Sequence, residues 1–168
     1  MMTTQAQPPE FTSKEFRAAL GMFATGVTIV TARTPEGSYV GLTASSFNSV
    51  SQSPPLVLWS LSLKARSMPA FSEGSHYAIN ILAAEQRHLA ERFASQSADR
   101  FEGLNFHLGA GGAPVLEGAA AVFECFNRHQ YAGGDHTIFV GEVERCSRRE
   151  GAKPLIYQGG QFFTELPL

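Results

Sequence analysis

The chain has 168 residues, of which 43% are hydrophobic and 17% charged, and this is enough to form one compact domain with a substantial core. Its formal net charge is −2 and its pI is near 6.2, so it has no broad basic surface for nucleic acid or for an anionic membrane. No apolar run approaches the roughly 20 residues that span a bilayer, and the start lacks the features of a secretory signal, so we expect a cytoplasmic protein.

The N-terminal residues predict a tail followed by a helix. Residues 1–11 are mostly polar and include two adjacent prolines, so we expect a flexible tail, with residues 12–168 as a single domain. Thr12 and Glu15 have the spacing of a capping box, in which each side chain binds the backbone N–H of the other residue. This spacing predicts a helix that begins after Thr12 and ends near Gly26.

The rest of the chain predicts strands and a few short helices. Alternating apolar and hydroxyl side chains over residues 27–32, then a turn at 34–37, predict a hairpin whose second strand begins at Tyr39. Further strands are expected at 47–50, 56–61, 77–82, 119–131, 137–146, 154–157 and 161–163, short helices at 69–74 and 84–94, and an irregular segment at 95–114. Because strands and helices do not alternate regularly, we expect an antiparallel barrel and not a Rossmann sheet.

Residues 41–67 have the composition of a site for a phosphorylated ligand. Small hydroxyl residues at 43–46 follow one strand, and hydroxyl residues with two cations, Lys64 and Arg66, follow the next. Hydroxyl donors, backbone N–H groups and cations together bind phosphate. The same residues are also typical of a Ser- and Thr-rich surface loop followed by a solvated basic turn, and both interpretations stay open on composition alone.

The remaining reactive residues indicate neither a protein nucleophile nor a metal site. The five histidines are scattered, the carboxylates have no acid/base spacing, and Cys125 and Cys146 are expected to be buried free thiols. His136 follows a Gly-Gly-Asp turn that a mobile ligand could reach, although a histidine there also suits the start of a strand. Any chemistry is therefore expected to come from a cofactor.

Several motifs in family order carry a resemblance that spacing alone does not supply. They are residues 16–17, FATGVT at 23–28, GLTASSFNSVS at 41–51, PPLV at 54–57, RFA at 92–94, residues 100–101, GDHTIFVGEV at 134–143 and PLIY at 154–157. Together they resemble the flavin reductase family, the small NAD(P)H-dependent reductase components of two-component flavin monooxygenases. The chain departs from the family pattern at residues 52–53 and at Lys64.

The resemblance implies a mainly β fold, a split antiparallel β-barrel of the FMN-binding, Greek-key type with a few short flanking helices. It implies that FMN or FAD is bound, with residues 43–46 at the ring edge and ribityl chain and residues 60–67 at the phosphate. The implied flavin-binding residues are Thr43, Ala44, Ser45, Ser46, Ser60, Leu61, Ser62, Lys64, Ala65, Arg66, Ser67 and Phe93. It further implies that NADH or NADPH is the co-substrate and that His136 and Tyr157 bind nicotinamide.

The function expected from this resemblance is hydride transfer from NAD(P)H to free FMN or FAD, with reduced flavin supplied to a separate monooxygenase. No side chain is assigned as catalytic, because hydride passes directly between the two cofactors. We expect a homodimer, in which a second subunit covers the apolar residues Phe162 and Phe163, and a possible oxygenase partner. The alternatives are a flavin-binding redox or storage protein of the same barrel class, without turnover of free flavin, and a flavin-dependent enzyme acting on another substrate, such as a corrin.

Overall fold

The computed structural model describes residues 5–168. The predicted tail therefore lies partly outside the described residues, at positions 1–4, and its described part, residues 5–11, is exposed and forms neither helix nor strand. The division into a tail and a single domain stays a prediction.

The first helix, α1, begins where the capping box predicts, at Ser13–Leu20. The Glu15 N–H donates to Thr12 Oγ1 at 3.1 Å, and the Thr12 N–H donates to Glu15 Oε2 at 2.7 Å. The predicted end at Gly26 is wrong, because the helix is capped at Gly21 and Gly26 belongs to a strand. All of α1 is exposed, so its apolar side chains face solvent in a single chain.

Twelve strands, three α-helices and two short 3-10 helices follow one another in the described residues. The strands are β1 Thr25–Gly26, β2 Thr28–Arg33, β3 Tyr39–Ala44, β4 Asn48–Gln52, β5 Pro55–Ser62, β6 His76–Ile81, β7 Phe106–Leu108, β8 Pro114–Leu116, β9 Ala121–Gly133, β10 His136–Arg148, β11 Leu155–Gln158 and β12 Gln161–Thr164. The other two α-helices are α2 Met68–Glu73 and α3 Arg87–Ala94, and the 3-10 helices are Ala84–Gln86 and Ala110–Gly112. The predicted strands and helices thus all occur, with shifts of a few residues at their ends.

The main sheet is antiparallel and curled. Across residues 5–168 it runs β3-β2-β6-β9-β10-β5-β4, so β3 and β4 are its two edges. These edges are consecutive in the chain and are joined by residues 45–47, a connection that spans at most roughly 14 Å. The edges must therefore approach each other, and the sheet forms a barrel that is split between β3 and β4. A smaller sheet, β1-β11-β12, and the β7-β8 pair lie beside it.

An aromatic core fills the inside of the curled sheet. Trp59 is stacked on Phe139 with ring centroids 4.8 Å apart, and it meets Phe71 and Tyr77 edge-on. The packing is so close that a Cβ on Gly141 would lie 2.7 Å from the Tyr77 oxygen. Burial in this core also raises the pKa of the Tyr77 phenol. A ligand of this protein therefore has to bind outside the barrel, at its edges.

A second core cluster lies under α3. Leu89, Ala90 and Phe93 of the helix pack with residues of β2, β8 and β11, and with the residues just before β2 and just after β6. The segment at 95–114, expected to be irregular, contains β7 and the first residue of its partner β8, but its apolar residues Phe101, Leu104 and Phe106 do cover this cluster as predicted. Phe162 also packs here, with the Arg87 guanidinium 5.0 Å from its ring centre.

The two cysteines are free thiols in different environments. Cys125 is buried in the barrel core, but Cys146 is exposed, because the outer end of β10 extends beyond the core. Burial, and more weakly the charges of Glu144 and Glu124, raise the pKa of the Cys125 thiol to about 12. Within residues 5–168 there is neither a cluster of three or more metal-ligating side chains nor a helix long and apolar enough to cross a bilayer.

Candidate functional site

An open cleft of about 750 Å³ lies along the outer edge of β3. It is lined by residues 39–43 of β3, by residues 64–67 in the turn after β5, and by residues 93–94 and 96–101 at the end of α3 and beyond. Two other cavities, of about 370 and 610 Å³, share residues 104–105 and 116–118 and include none of the predicted site residues. The β3 cleft is therefore the candidate site, because it brings together two stretches that sequence analysis had singled out.

The free edge of β3 forms one wall of the cleft. Since β2 is its one strand neighbour in the described chain, every second residue directs its backbone groups away from the sheet. Gly41 does so, and its carbonyl accepts a hydrogen bond from Arg100 at 2.7 Å. Thr43, the next such residue, donates its hydroxyl to the Ala90 carbonyl at 2.7 Å. Thr43 and Ala44 therefore lie in a strand and not in a loop, and Ala44 directs its carbonyl back to β2.

The predicted serines near the split in the barrel have mixed roles. Ser46 Oγ accepts the Ser60 N–H at 2.9 Å and donates to the Ser60 carbonyl at 3.3 Å, so it attaches the connection between the sheet edges to β5. Ser45 beside it is exposed. Leu61 is 2% exposed and packs into the barrel core, whereas its neighbours Ser60 and Ser62 lie on the other face and are half-buried. None of these five residues lines the cleft.

The turn after β5 supplies the cationic side of the cleft. Lys64 and Arg66 are exposed and line it, while Ala65 between them packs against the barrel core. Ser67 stands at the N-cap position of α2, yet its hydroxyl makes no capping hydrogen bond in the described structure. A hydroxyl and two cations are therefore held along one turn, which is the donor set that sequence analysis assigned to a phosphate.

Phe93 lies under the cleft and forms its floor. Its side chain is fully buried and meets Phe101 edge-on, with ring centroids 5.1 Å apart. A Cβ on Gly41 would lie 2.8 Å from Phe93 Cε1 and 3.2 Å from Phe101 Cζ, so only glycine permits this approach of the rings to β3. Phe93 thus shapes the site through Gly41, and its ring face is not free to stack on a flat ligand.

The wall formed by residues 96–101 lies outside the residues that the sequence predicted as the site. Arg100 attaches this wall to β3 through Gly41, and its second nitrogen donates to the Ser95 carbonyl at 2.6 Å. The Phe101 N–H donates to Asp99 Oδ1 at 2.9 Å, which closes a tight turn before the aromatic residue. The available signal was Arg100-Phe101 itself, which belongs to the family motifs but has no periodic pattern around it.

His136 lies next to the predicted phosphate segment, although it does not line the cleft. It is paired with Ser62 across β10 and β5, at the open end of the strands. Its Nδ1 is 2.7 Å from Asp135 Oδ1, and this contact, with a smaller effect of Lys64, holds the pKa of the Asp135 carboxyl below its usual value. This contact involves Nδ1 and therefore leaves Nε2 as the ring nitrogen available to a ligand.

Tyr157 lies in another part of the surface. It pairs with Thr25 of β1 and with Phe162 of β12, and it is 39% exposed. The cleft residues do not include it, so a single chain does not bring Tyr157 into the site at β3.

Comparison with known proteins identifies the type of domain. A family model described as "Flavin reductase like domain" matches residues 20–165, which is nearly the whole described chain. The FMN reductase (NADH) SmoA of Agrobacterium fabrum is 49% identical over 150 residues, covering 89% of this chain and 84% of that protein. The reductase subunit HsaB of a flavin-dependent monooxygenase from Rhodococcus jostii is 36% identical, covering 89% of this chain and 76% of its own length.

A solved structure agrees with these relatives. The NADH:FAD oxidoreductase SgcE6 of Streptomyces globisporus C-1027, in complex with NAD and FAD fragments, has a TM-score of 0.87 to this chain at 39% identity. The match covers 92% of this chain and 93% of that one. Some other relatives are longer, and this chain spans about half of their length. The similarity over nearly the whole chain confirms the predicted split-barrel fold.

Proposed function

Because the chain belongs to the flavin reductase family, we propose that it transfers hydride from NAD(P)H to FMN or FAD and so supplies reduced flavin to a separate monooxygenase. The observation that supports this most is the cleft at β3, where a strand edge, a cationic turn and a floor over buried aromatic rings meet. Its volume of about 750 Å³ lies within the usual range for cofactor pockets.

The residues of the cleft fit a flavin. The outward backbone groups of β3 offer donors and acceptors to the polar edge of a flat ring. Lys64, Arg66 and Ser67 offer charge and a free hydroxyl to its phosphate. Each charge-assisted hydrogen bond to phosphate contributes about 1.5–3 kcal/mol. The exposed positions of both cations put their contribution toward the lower end of this range.

The chemistry comes from the two cofactors, since a nicotinamide donates hydride and a flavin accepts it. The chain has to hold the two rings together and to limit access of water. The β3 edge and the floor at Gly41 provide a rigid support, because Gly41 is fixed by the rings beneath it and by Arg100. An open cleft also suits an enzyme that releases its reduced product to a partner.

His136 is proposed to bind the nicotinamide cofactor. It is half-exposed at the hairpin tip, next to Ser62 and therefore close to the turn that carries Lys64. An imidazole there can donate to a carboxamide or phosphate oxygen. A role for Tyr157 requires it to reach the site from elsewhere, for example from a second subunit.

A homodimer is proposed on the basis of the apolar side chains that one chain leaves uncovered. Around α1 these are Phe16, Leu20, Met22 and Phe23, each at least 51% exposed, and Phe163 at 47% lies on the C-terminal strand. Phe162, also expected at the interface, is instead packed in its own chain.

The dimer is tested by sedimentation, which should give a mass of twice 18.2 kDa. Phe23→Ser should shift the protein toward monomer, whereas Leu108→Ser, a control at another exposed position, should not. A monomer at micromolar protein concentration would refute the dimer.

The location of the protein in the cytoplasm stays a prediction.

The proposed function is tested by titrating the purified chain with FMN and with FAD, and by following NADH and NADPH oxidation with each. We expect saturable binding of at least one flavin and many turnovers of free flavin per chain. Tight binding with only one turnover would instead indicate a flavin-storing or redox-carrying protein. Absence of flavin binding would refute the assignment of the cleft.

A further inference from the structure

We infer that Arg100 is a positioning residue. It fixes the exposed tip of the wall, residues 96–99, relative to the free edge of β3 and thereby sets the affinity of the cleft for flavin. The inference rests on the proposed function, because it takes flavin as the ligand of this cleft. It goes further in assigning to Arg100 a role that acts through the two backbone carbonyls that it binds.

The first evidence is the pair of carbonyls that Arg100 joins. Nη1 donates to the Gly41 carbonyl at 2.7 Å, and Nη2 donates to the Ser95 carbonyl at 2.6 Å. The guanidinium is planar, so these two bonds hold the strand edge and the start of the wall in a fixed relation. Without Arg100, the outward carbonyl of Gly41 would accept no hydrogen bond from a strand, because none pairs with this edge of β3 in the described chain.

The second evidence is the way in which the wall is built. Its base is anchored, since Phe101 packs on Phe93 and against Gly41. Its tip is exposed and is held by short-range bonds, in which the Ser97 N–H donates to Ser95 Oγ at 3.2 Å and the Ser97 hydroxyl to the Asp99 carbonyl at 3.4 Å. A small turn of this kind keeps its own shape, but its orientation toward β3 depends on the attachments at its base. Phe101 provides the packing contact there, and Arg100 provides the hydrogen bond to β3.

Arg92, in the last turn of α3, provides a matched control. Its Nη2 donates to the Glu102 and Asp99 carbonyls, so it too is a guanidinium that binds backbone oxygens. Its partners lie at the end of the wall and just after it, and neither is on β3. Removing Arg92 therefore loosens the segment without releasing it from the strand edge.

The experiment compares Arg100→Ala, Arg100→Lys and Arg92→Ala with the unsubstituted chain. Flavin Kd is measured by quenching of flavin fluorescence, KM and kcat by NADH oxidation, and folding by Tm. We expect Arg100→Ala and Arg100→Lys each to raise Kd and KM for flavin roughly tenfold, because a lysine cannot span both carbonyls. We expect kcat at saturating flavin to stay within roughly twofold, and Arg92→Ala to raise Kd less than about threefold.

Three results would overturn the inference. Recovery of flavin affinity in Arg100→Lys would mean that the positive charge acts directly on the ligand. An equal rise of the flavin Kd in Arg92→Ala would mean that flavin affinity depends on the internal order of the wall and not on its attachment to β3. A loss of kcat without a change in KM would place Arg100 in the chemical step.

If Arg100→Ala does not fold, Arg100→Gln, which keeps one planar donor group, is measured in its place. Failure of the unsubstituted chain to bind flavin would refute the proposed function itself, and the inference with it.

Discussion

Replacement of Gly41 by alanine tests the packing that supports the cleft. The added Cβ would lie 2.8 Å and 3.1 Å from two atoms of the Phe93 ring and 3.2 Å from Phe101 Cζ. The side chain of Phe93, a residue of α3, is fully buried against the sheet, so its ring has no solvent to move into. Gly41 does not have a positive φ, and the substitution is therefore unfavourable for steric reasons alone.

The expected loss of stability follows from two opposing effects. Overpacking of a filled core costs about 1–3 kcal/mol, whereas replacing glycine where alanine is allowed gains about 0.4–1 kcal/mol through the unfolded state. At the midpoints of these ranges, about 2 and about 0.7 kcal/mol, the net loss is about 1.3 kcal/mol. For a chain of this size each kcal/mol lowers Tm by about 2–4 °C, so we expect a decrease of roughly 3–5 °C.

Gly26→Ala is the matched control, since Gly26 also lies in a strand and has no positive φ, but no atom lies within 4 Å of the position that its Cβ would take. Thermal and urea unfolding of both variants should show a clear loss for Gly41→Ala and a change within about ±0.5 kcal/mol, or a small gain, for Gly26→Ala. Gly41→Ala should also weaken flavin binding, because the floor moves. Equal stability of the two variants would refute the reasoning.

The remaining predictions concern individual side chains of the site and the two thiols. Ser67→Ala and Lys64→Ala should each weaken flavin binding about two- to tenfold, with Tm nearly unchanged because Ser67 makes no capping bond and Lys64 is exposed; unchanged Kd in both would refute the phosphate position. His136→Ala should raise KM for NADH several-fold and leave flavin Kd nearly unchanged, and loss of flavin binding instead would contradict its proposed role. A thiol reagent at pH 8 should modify the exposed Cys146 rapidly and Cys125 only after unfolding, because burial raises the pKa of the Cys125 thiol to about 12. A thiol that reacts rapidly in the folded Cys146→Ser variant would contradict this.

Most of the fold was predictable because its signals are local. The Thr12 and Glu15 capping box places the start of α1, and alternating side chains with glycine turns place the hairpins. The end of α1 was not predictable, because residues 25–26 pair with β11, which is more than a hundred residues away in sequence. The β7-β8 pair was missed for a similar reason, since two three-residue strands in a Gly-rich segment give no periodic pattern.

The candidate site was predictable in part, but the orientation of its residues was not. Composition predicted a cationic turn, and Lys64, Arg66 and Ser67 do line one cleft, although their binding of a phosphate stays a proposal. It could not show that Leu61 faces the core, although the period of two in β5 contains that information once the strand is known. It also could not assign Phe93 to the floor, because this depends on how closely α3 approaches Gly41.

The location of the cleft follows from the topology of the sheet. An open sheet leaves backbone donors and acceptors unpaired along its edges, and proteins must cover such edges or use them. Here the two edges are neighbours in the chain, and Ser46 binds their connection to β5, so the split between them is held at a fixed width. Along β3 the Gly41 carbonyl is occupied by Arg100, and α3 is held against the strand by the Thr43 hydroxyl. The edge is thus too crowded to pair with another strand, and its remaining polar groups stay accessible to the flavin that we propose as its ligand.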